Sequence, residues 1–126
     1  MILHLQFDSD IPIYVQLRNE IVKGIGNGSL AYGESLPTVR QLAADVGVNA
    51  MTVNKAYNLL KQEGFISIDR RHGACVNPIF HNHADFREKL ESELQLLSSE
   101  AAIQGMDKDD FLEMCTRMYS VVNIKR

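Results

Sequence analysis

The sequence predicts a mainly α-helical chain with one small β-hairpin, arranged as two units with a boundary near residue 79. Three observations predict it. Apolar residues recur at helical spacing in five separate stretches. Only two short segments read as strands, and a polar five-residue tip separates them. Asn77-Pro78 then interrupts the pattern before a second, purely helical part begins near Ala84.

Taken in order, Leu3, Leu5 and Phe7 alternate with polar residues, as in a short strand or an extended arm. Asp8-Ser9-Asp10 followed by Pro12 marks a helix start. Tyr14, Leu17, Ile21, Val22 and Ile25 make an amphipathic helix from Pro12 to about Lys23, with Gly24, Gly26 and Gly28 expected to end it. After a connector from Leu30 to Leu36, Thr38-Val39-Arg40-Gln41 fits a capping box at the head of a short helix reaching Val46. Gly47 suits a tight turn, and Asn49 can cap the next helix, which runs to Glu63 with Val53, Ala56, Tyr57 and Leu60 inward. Phe65–Ile68 and Ala74–Val76 are strand-like around the tip Asp69-Arg70-Arg71-His72-Gly73. Phe86, Leu90, Leu94, Leu97 and Ala101 line one face of a long helix ended by Gly105. Asp107–Asp110 heads a last helix carrying Phe111, Cys115, Met118 and Val122.

Composition narrows the function. With 45% hydrophobic and 23% charged residues, the chain has globular proportions. No apolar run approaches the roughly 18 residues of a membrane span. Met1–Asp10 lacks a basic lead and a small-residue cleavage site, so it does not read as a signal peptide. Cys75 and Cys115 are too few for a disulfide framework, and a reduced, cytoplasmic setting is the expectation. The net charge of −3 is unevenly spread. Residues 1–79 hold seven Lys/Arg and seven Asp/Glu, so the whole excess of acid falls in residues 80–126. Within 35–79, Arg40, Lys55, Lys61, Arg70 and Arg71 outnumber Asp45, Glu63 and Asp69. A local positive surface of this kind is sufficient to meet phosphates.

Helix, glycine turn, helix and basic hairpin over Leu36–Val76 form a winged helix-turn-helix pattern. With Val53, Ala56 and Leu60 inward, Ala50, Met51, Asn54, Lys55 and Asn58 lie on the outer arc of the second helix. Asn54 has the two-pronged amide that reads adenine, and Met51 and Ala50 suit a thymine methyl. Thr52, Lys55 and Asn58 suit phosphate oxygens. Arg40, beside Pro37 and Thr38 at the start of the preceding helix, offers a bidentate guanidinium for guanine or phosphate. The tip Arg70-Arg71-His72-Gly73 suits the neighbouring minor groove or backbone. Pro37, Thr38, Asn49 and Gly73 complete the expected DNA-facing set.

These residues resemble the GntR family of transcriptional regulators, and closely its YtrA-like branch. The resemblance begins at Phe7-Asp8 and Pro12-Ile13-Tyr14-Val15-Gln16-Leu17 and continues through Ile21–Ile25 and Gly33–Ala43. Gly47-Val48-Asn49, Thr52-Val53, Ala56-Tyr57, Leu60 and Glu63-Gly64-Phe65-Ile66 complete it, over roughly residues 5–78. It implies a winged helix-turn-helix DNA-binding domain over 1–79 and an antiparallel two-helix dimerisation or effector region over 80–126, where the two apolar stripes, Phe86, Leu90, Leu94, Leu97 and Ala101 with Phe111, Cys115, Met118 and Val122, are the expected dimer interface. It also implies a homodimeric repressor on an inverted-repeat DNA operator, in this branch often beside transporter genes. Ala50 and Asn54 stand where many such proteins carry arginine, and the wing keeps only the first glycine of the usual Gly-x-Gly. Those departures bear on which operator is read.

Other chemistries are poorly supported by the residues. His81-x-His83, with His72, lacks the further ligands a metal sensor needs, and Cys75 has neither a paired thiol nor a cationic helix end beside it. Gly24-Ile25-Gly26-Asn27-Gly28 lies at a helix end, where no free N–H groups face a phosphate. No nucleophile–base spacing points to an enzyme. No cofactor is expected; a ligand- or metal-responsive sensor repressor using the C-terminal region is the alternative reading.

Overall fold

The computed structural model describes residues 3–78 and 83–125. The chain divides into two compact units, Met1–Ile79 with Asn123–Arg126, and Phe80–Val122. The first unit holds α1 (Ile13–Gly26), α2 (Val39–Val46), α3 (Ala50–Gln62), β1 (Ile66–Asp69) and β2 (Gly73–Val76). The second holds α4 (His83–Ile103) and α5 (Lys108–Ser120). Among the described residues, no helix is long and apolar enough to cross a membrane.

Helical spacing in α1 places Leu17, Ile21 and Ile25 on one buried face. They meet Leu42 and Ala43 of α2, Val53, Ala56, Tyr57 and Leu60 of α3, and Ile66, Ala74 and Val76 of the hairpin in a single core. The Arg18 guanidinium fastens α1 to the end of α3, giving Glu63 two hydrogen bonds of 2.8 Å each. It also lies 5.4 Å from the centre of the Phe65 ring.

The end of α1 differs from the sequence expectation. Gly24 and Gly26 lie inside the helix, which runs on to Gly26. The reason is packing. Leu30 turns back onto Gly24, its N–H donates to the Gly24 carbonyl at 2.9 Å, and a Cβ on Gly24 would stand 3.1 Å from a Leu30 methyl. The stretch expected as a strand or extended arm is neither over its whole length: Leu3–Gln6 is without regular structure, and Phe7 lies in a turn closed by Ser9 N–H on the Gln6 carbonyl. Its backbone is held by the Glu20 carboxylate at His4 N–H (2.9 Å) and by the Gln16 amide at Gln6 N–H (2.7 Å).

β1 and β2 pair antiparallel, with Ile66 opposite Val76 and Asp69 opposite Gly73. The sequence expected the strands to start at Phe65 and Ala74. The Phe65 N–H instead bonds back to Leu60, which shifts β1 one residue on, and Gly73 joins β2. The connector after α1 lies along the free edge of β2. Gly33 N–H donates to the Val76 carbonyl, Val76 N–H to Glu34, and Leu36 N–H to Ala74, at 2.8, 2.9 and 2.8 Å. Cys75 is partly buried there, its Sγ 3.8 Å from Ser35 Oγ.

In the second unit Gly105 turns the chain between the helices, and Asp107 caps α5 by accepting from Asp110 N–H at 2.8 Å. Phe86, Leu90, Leu94, Leu97 and Met118 are exposed. Cys115 is exposed as well, while Ala101 and Phe111 are half-buried. Val122, expected on the last helix, lies beyond its end at Ser120 and is exposed.

Candidate nucleic-acid interface

The pair α2–α3 is built by its caps. Thr38 Oγ1 accepts from Gln41 N–H at 3.1 Å, and Gln41 Oε1 accepts from Thr38 N–H at 3.3 Å. The capping box read from the sequence is therefore formed. Gly47 takes the left-handed conformation, φ +76°, which lets two successive N–H groups, of Gly47 and Val48, reach the Ala43 carbonyl. Asn49 then starts α3, its Oδ1 accepting from Thr52 N–H (2.8 Å) and from the Thr52 hydroxyl (3.0 Å). The side chains of Thr38, Asn49 and Thr52 are thus committed to holding the helix ends.

The two faces of α3 divide as the spacing requires. Val53, Ala56, Tyr57 and Leu60 are buried. Ala50, Met51, Asn54, Lys55 and Asn58 all face solvent, Met51 with 76% of its surface open. Among the described residues, Ala50, Met51, Asn54 and Asn58 spend no side-chain hydrogen bond or ion pair on the fold. Lys55 does have a partner: its ammonium lies 5.2 Å from the centre of the Tyr14 ring on α1.

Tyr57 fixes the approach to α2. Its hydroxyl donates to the Pro37 carbonyl at 2.7 Å, tying the residue before the capping box to α3. Burial pushes this hydroxyl from the ordinary value of 10 up to about 12. The folded state thus holds the proton more tightly than the unfolded chain does. The resulting stability is complete below pH 10 and is lost as the pH rises through about 12. Tyr57→Phe is expected to cost about 1 kcal/mol near neutrality. It should also flatten the alkaline loss of stability, measured as urea midpoints at pH 8 and above pH 10.

The wing tip is a turn organised by Asp69. Its carboxylate accepts from the backbone N–H groups of Arg71 and His72, and its second oxygen lies 3.2 Å from His72 Nδ1. The His72 N–H is the main cause that holds the Asp69 carboxyl below its ordinary value. Desolvation opposes it, and the His72 ring and Arg71 N–H add to it. Arg70, Arg71, His72 and Gly73 are all exposed around this turn. Among the described residues, no carboxylate pairs with Arg40, Arg70 or Arg71, whereas Arg18 is engaged by Glu63 and Asn19.

The expected DNA-facing set thus falls on α3, the wing tip and the segment Pro37–Arg40 of α2 and its cap. Sequence reasoning missed three contributions: Tyr14 beneath Lys55, the Asp69 carboxylate as the acceptor that organises the tip, and the Tyr57–Pro37 bond. Only Asp69 carried a signal, since an aspartate that opens a turn commonly accepts from the next two or three N–H groups. The second unit brings Leu94, Leu97, Phe111, Cys115, Met118 and Val122 around one open groove of about 720 Å³. Phe86 and Leu90, also expected at an interface, do not line it. Among the described residues, no three His, Cys, Asp or Glu side chains are placed to hold a metal, and His81 lies outside those residues.

Comparison with known proteins places this geometry. The family model for bacterial regulatory proteins of the gntR family matches residues 13–76, α1 through the wing. The HTH-type transcriptional regulator Rv1152 of Mycobacterium tuberculosis is 38% identical over 66 residues, covering 52% of this chain and 54% of its own. The chain thus spans about half the length of that relative. YtrA from Sulfolobus acidocaldarius, a GntR-family transcription factor of known structure, is 34% identical and superposes with a TM-score of 0.68. That match covers 79% of this chain and 99% of YtrA. The DNA-binding domain of AraR, solved with its operator ORX1, is 26% identical with a TM-score of 0.54, covering 59% of this chain and 95% of that domain. The chain belongs to the GntR family of bacterial regulatory proteins, a family of transcriptional regulators rather than enzymes.

Proposed function

We propose that this chain acts as a homodimer on double-stranded DNA, binding an inverted-repeat operator and blocking transcription of its own operon. The observation that carries the reading is the outer face of α3: five exposed residues, four of them unengaged by the fold, on a helix locked by caps at the base of a wing. A helix offered in this way enters a major groove, where Asn54, Met51 and Ala50 read base edges and Lys55 and Asn58 meet phosphates. Arg40 reaches the duplex from α2, and Arg70, Arg71 and His72 from the wing. The similar AraR domain, solved with its operator, supports the same mode here.

Dimerisation rests on a separate observation. The second unit leaves Phe86, Leu97 and Met118 more than half exposed, and an open apolar groove lies between its helices. So much apolar surface in so small a unit is stable when a second copy covers it, and a twofold dimer matches two half-sites. Domain roles follow: the unit of residues 1–79, which also takes in 123–126, reads DNA, and 80–122 join the copies.

Selection of oligonucleotides from a random pool tests the function. Enrichment of an inverted repeat is expected; a pool that stays random sinks the DNA reading. Analytical ultracentrifugation tests the dimer. Wild type at micromolar concentration is expected as a dimer, and the double variant Leu94→Ala, Leu97→Ala shifted toward monomer. A monomeric wild type removes the dimer and leaves the selection result standing alone.

A further inference from the structure

The glycine-rich end of α1 serves a second purpose. Gly28 stands at φ +87°, and a Cβ there would lie 2.4 Å from the Asn123 carbonyl oxygen and 2.8 Å from Lys125 Cγ. The Asn123 N–H donates to the Gly26 carbonyl at 2.8 Å, and the Tyr32 N–H donates to the Lys125 carbonyl at 2.9 Å. One residue further on, Gly33 begins the pairing of the connector with β2. Main-chain hydrogen bonds therefore run without a gap from Asn123–Lys125, through Tyr32–Leu36, to the wing. All of these residues belong to the same compact unit.

The connector needs such support. Leu30 and Leu36 anchor its two ends in the core, but Gly33, Glu34 and Ser35 between them are exposed. A two-stranded hairpin is marginal by itself, so β2 depends on the partner this span provides. Holding Tyr32 from the opposite side removes conformational freedom from the span. We propose that Asn123–Lys125 is a strap that keeps the connector in register with β2. Through it the strap keeps the wing poised for DNA, a last step that rests on the DNA-binding reading above. Gly28 is the residue that lets the strap seat.

Amide hydrogen exchange on the full chain, on a chain stopped after Val122, and on Gly28→Ala in both backgrounds tests the strap. Loss of the strap is expected to lower protection at Gly33 and Val76 about tenfold or more, with Leu17 and Leu60 amides unchanged. Gly28→Ala should reproduce this in the full chain and add less in the shortened one, where the clash partner is gone and only the cost of a left-handed alanine remains. Operator affinity should fall several-fold, and Arg70→Ala should cost less in the shortened chain than in the full one. Unchanged protection at Gly33 and Val76 overturns the strap. So does an equal loss at Leu17 and Leu60, which would mean a general loss of stability. A wild type without operator preference defeats the DNA reading alone, and the exchange pattern still decides the strap.

Discussion

Arg40→Ala is expected to weaken operator binding by about 1–3 kcal/mol, a factor of roughly 5 to 150 in Kd, with no change in fold. The guanidinium stands in the first turn of α2, exposed and without an intramolecular carboxylate among the described residues. Its removal therefore costs the free protein nothing, and the whole effect appears in the complex. The wing variants Arg70→Ala and Arg71→Ala differ in kind. They are expected to weaken all DNA sequences alike and to lower the salt slope by about one each, since a phosphate contact releases about one counterion. Titration of a selected operator against a scrambled duplex at several salt concentrations separates the two behaviours. Equal affinity for Arg40→Ala and wild type, on every duplex, would mean that the DNA face is misassigned.

The largest expected change in stability comes from the other side of α3. Leu60 is fully buried between α3, α1 and the hairpin. Leu60→Ala leaves a cavity that costs about 2–5 kcal/mol. A domain of this size has only about 5–15 kcal/mol to lose, so much of the variant is expected to unfold at modest temperature. Urea denaturation measures the cost. Saturating operator should restore part of the midpoint, because DNA bound only by the folded state stabilises it by mass action. Met51→Ala is the matching control: it deletes an exposed side chain and should move the midpoint by less than about 0.5 kcal/mol. A similar midpoint for Leu60→Ala and Met51→Ala would contradict the assignment of the two faces.

The order of elements was legible because each rests on a local rule. The capping box at Thr38 and Gln41, the left-handed turn at Gly47 and the cap at Asn49 are interactions between near neighbours, and the sequence displays them directly. The burial of Val53, Ala56, Tyr57 and Leu60 follows from helical period alone. What was not legible depended on partners distant in the chain. Gly24 reads as a helix breaker until Leu30 is seen to need the space. Lys55 reads as a free cation until α1 brings Tyr14 beneath it. The pairing of Gly33–Leu36 with β2 has no periodic signature, since a connector with one isolated bridge presents no alternation. For the interface, the sequence located the exposed face and the basic tip. It did not reveal that Asp69 shapes that tip or that the Thr52 hydroxyl is already taken up by the Asn49 cap.

The division of labour on α3 carries an evolutionary corollary. Ala50, Met51, Asn54 and Asn58 contribute neither a cap, nor an ion pair, nor buried area to the fold. Replacing them moves stability by less than about 0.5 kcal/mol each, so drift at these positions is nearly free of folding cost. If these residues read the operator as proposed, a duplicated copy of such a gene can change the operator it reads in single steps, each intermediate remaining folded. The absence of arginine at Ala50 and Asn54 then has a simple physical setting: the scaffold neither requires nor forbids it, and on the proposed DNA-binding reading the operator is what constrains these positions.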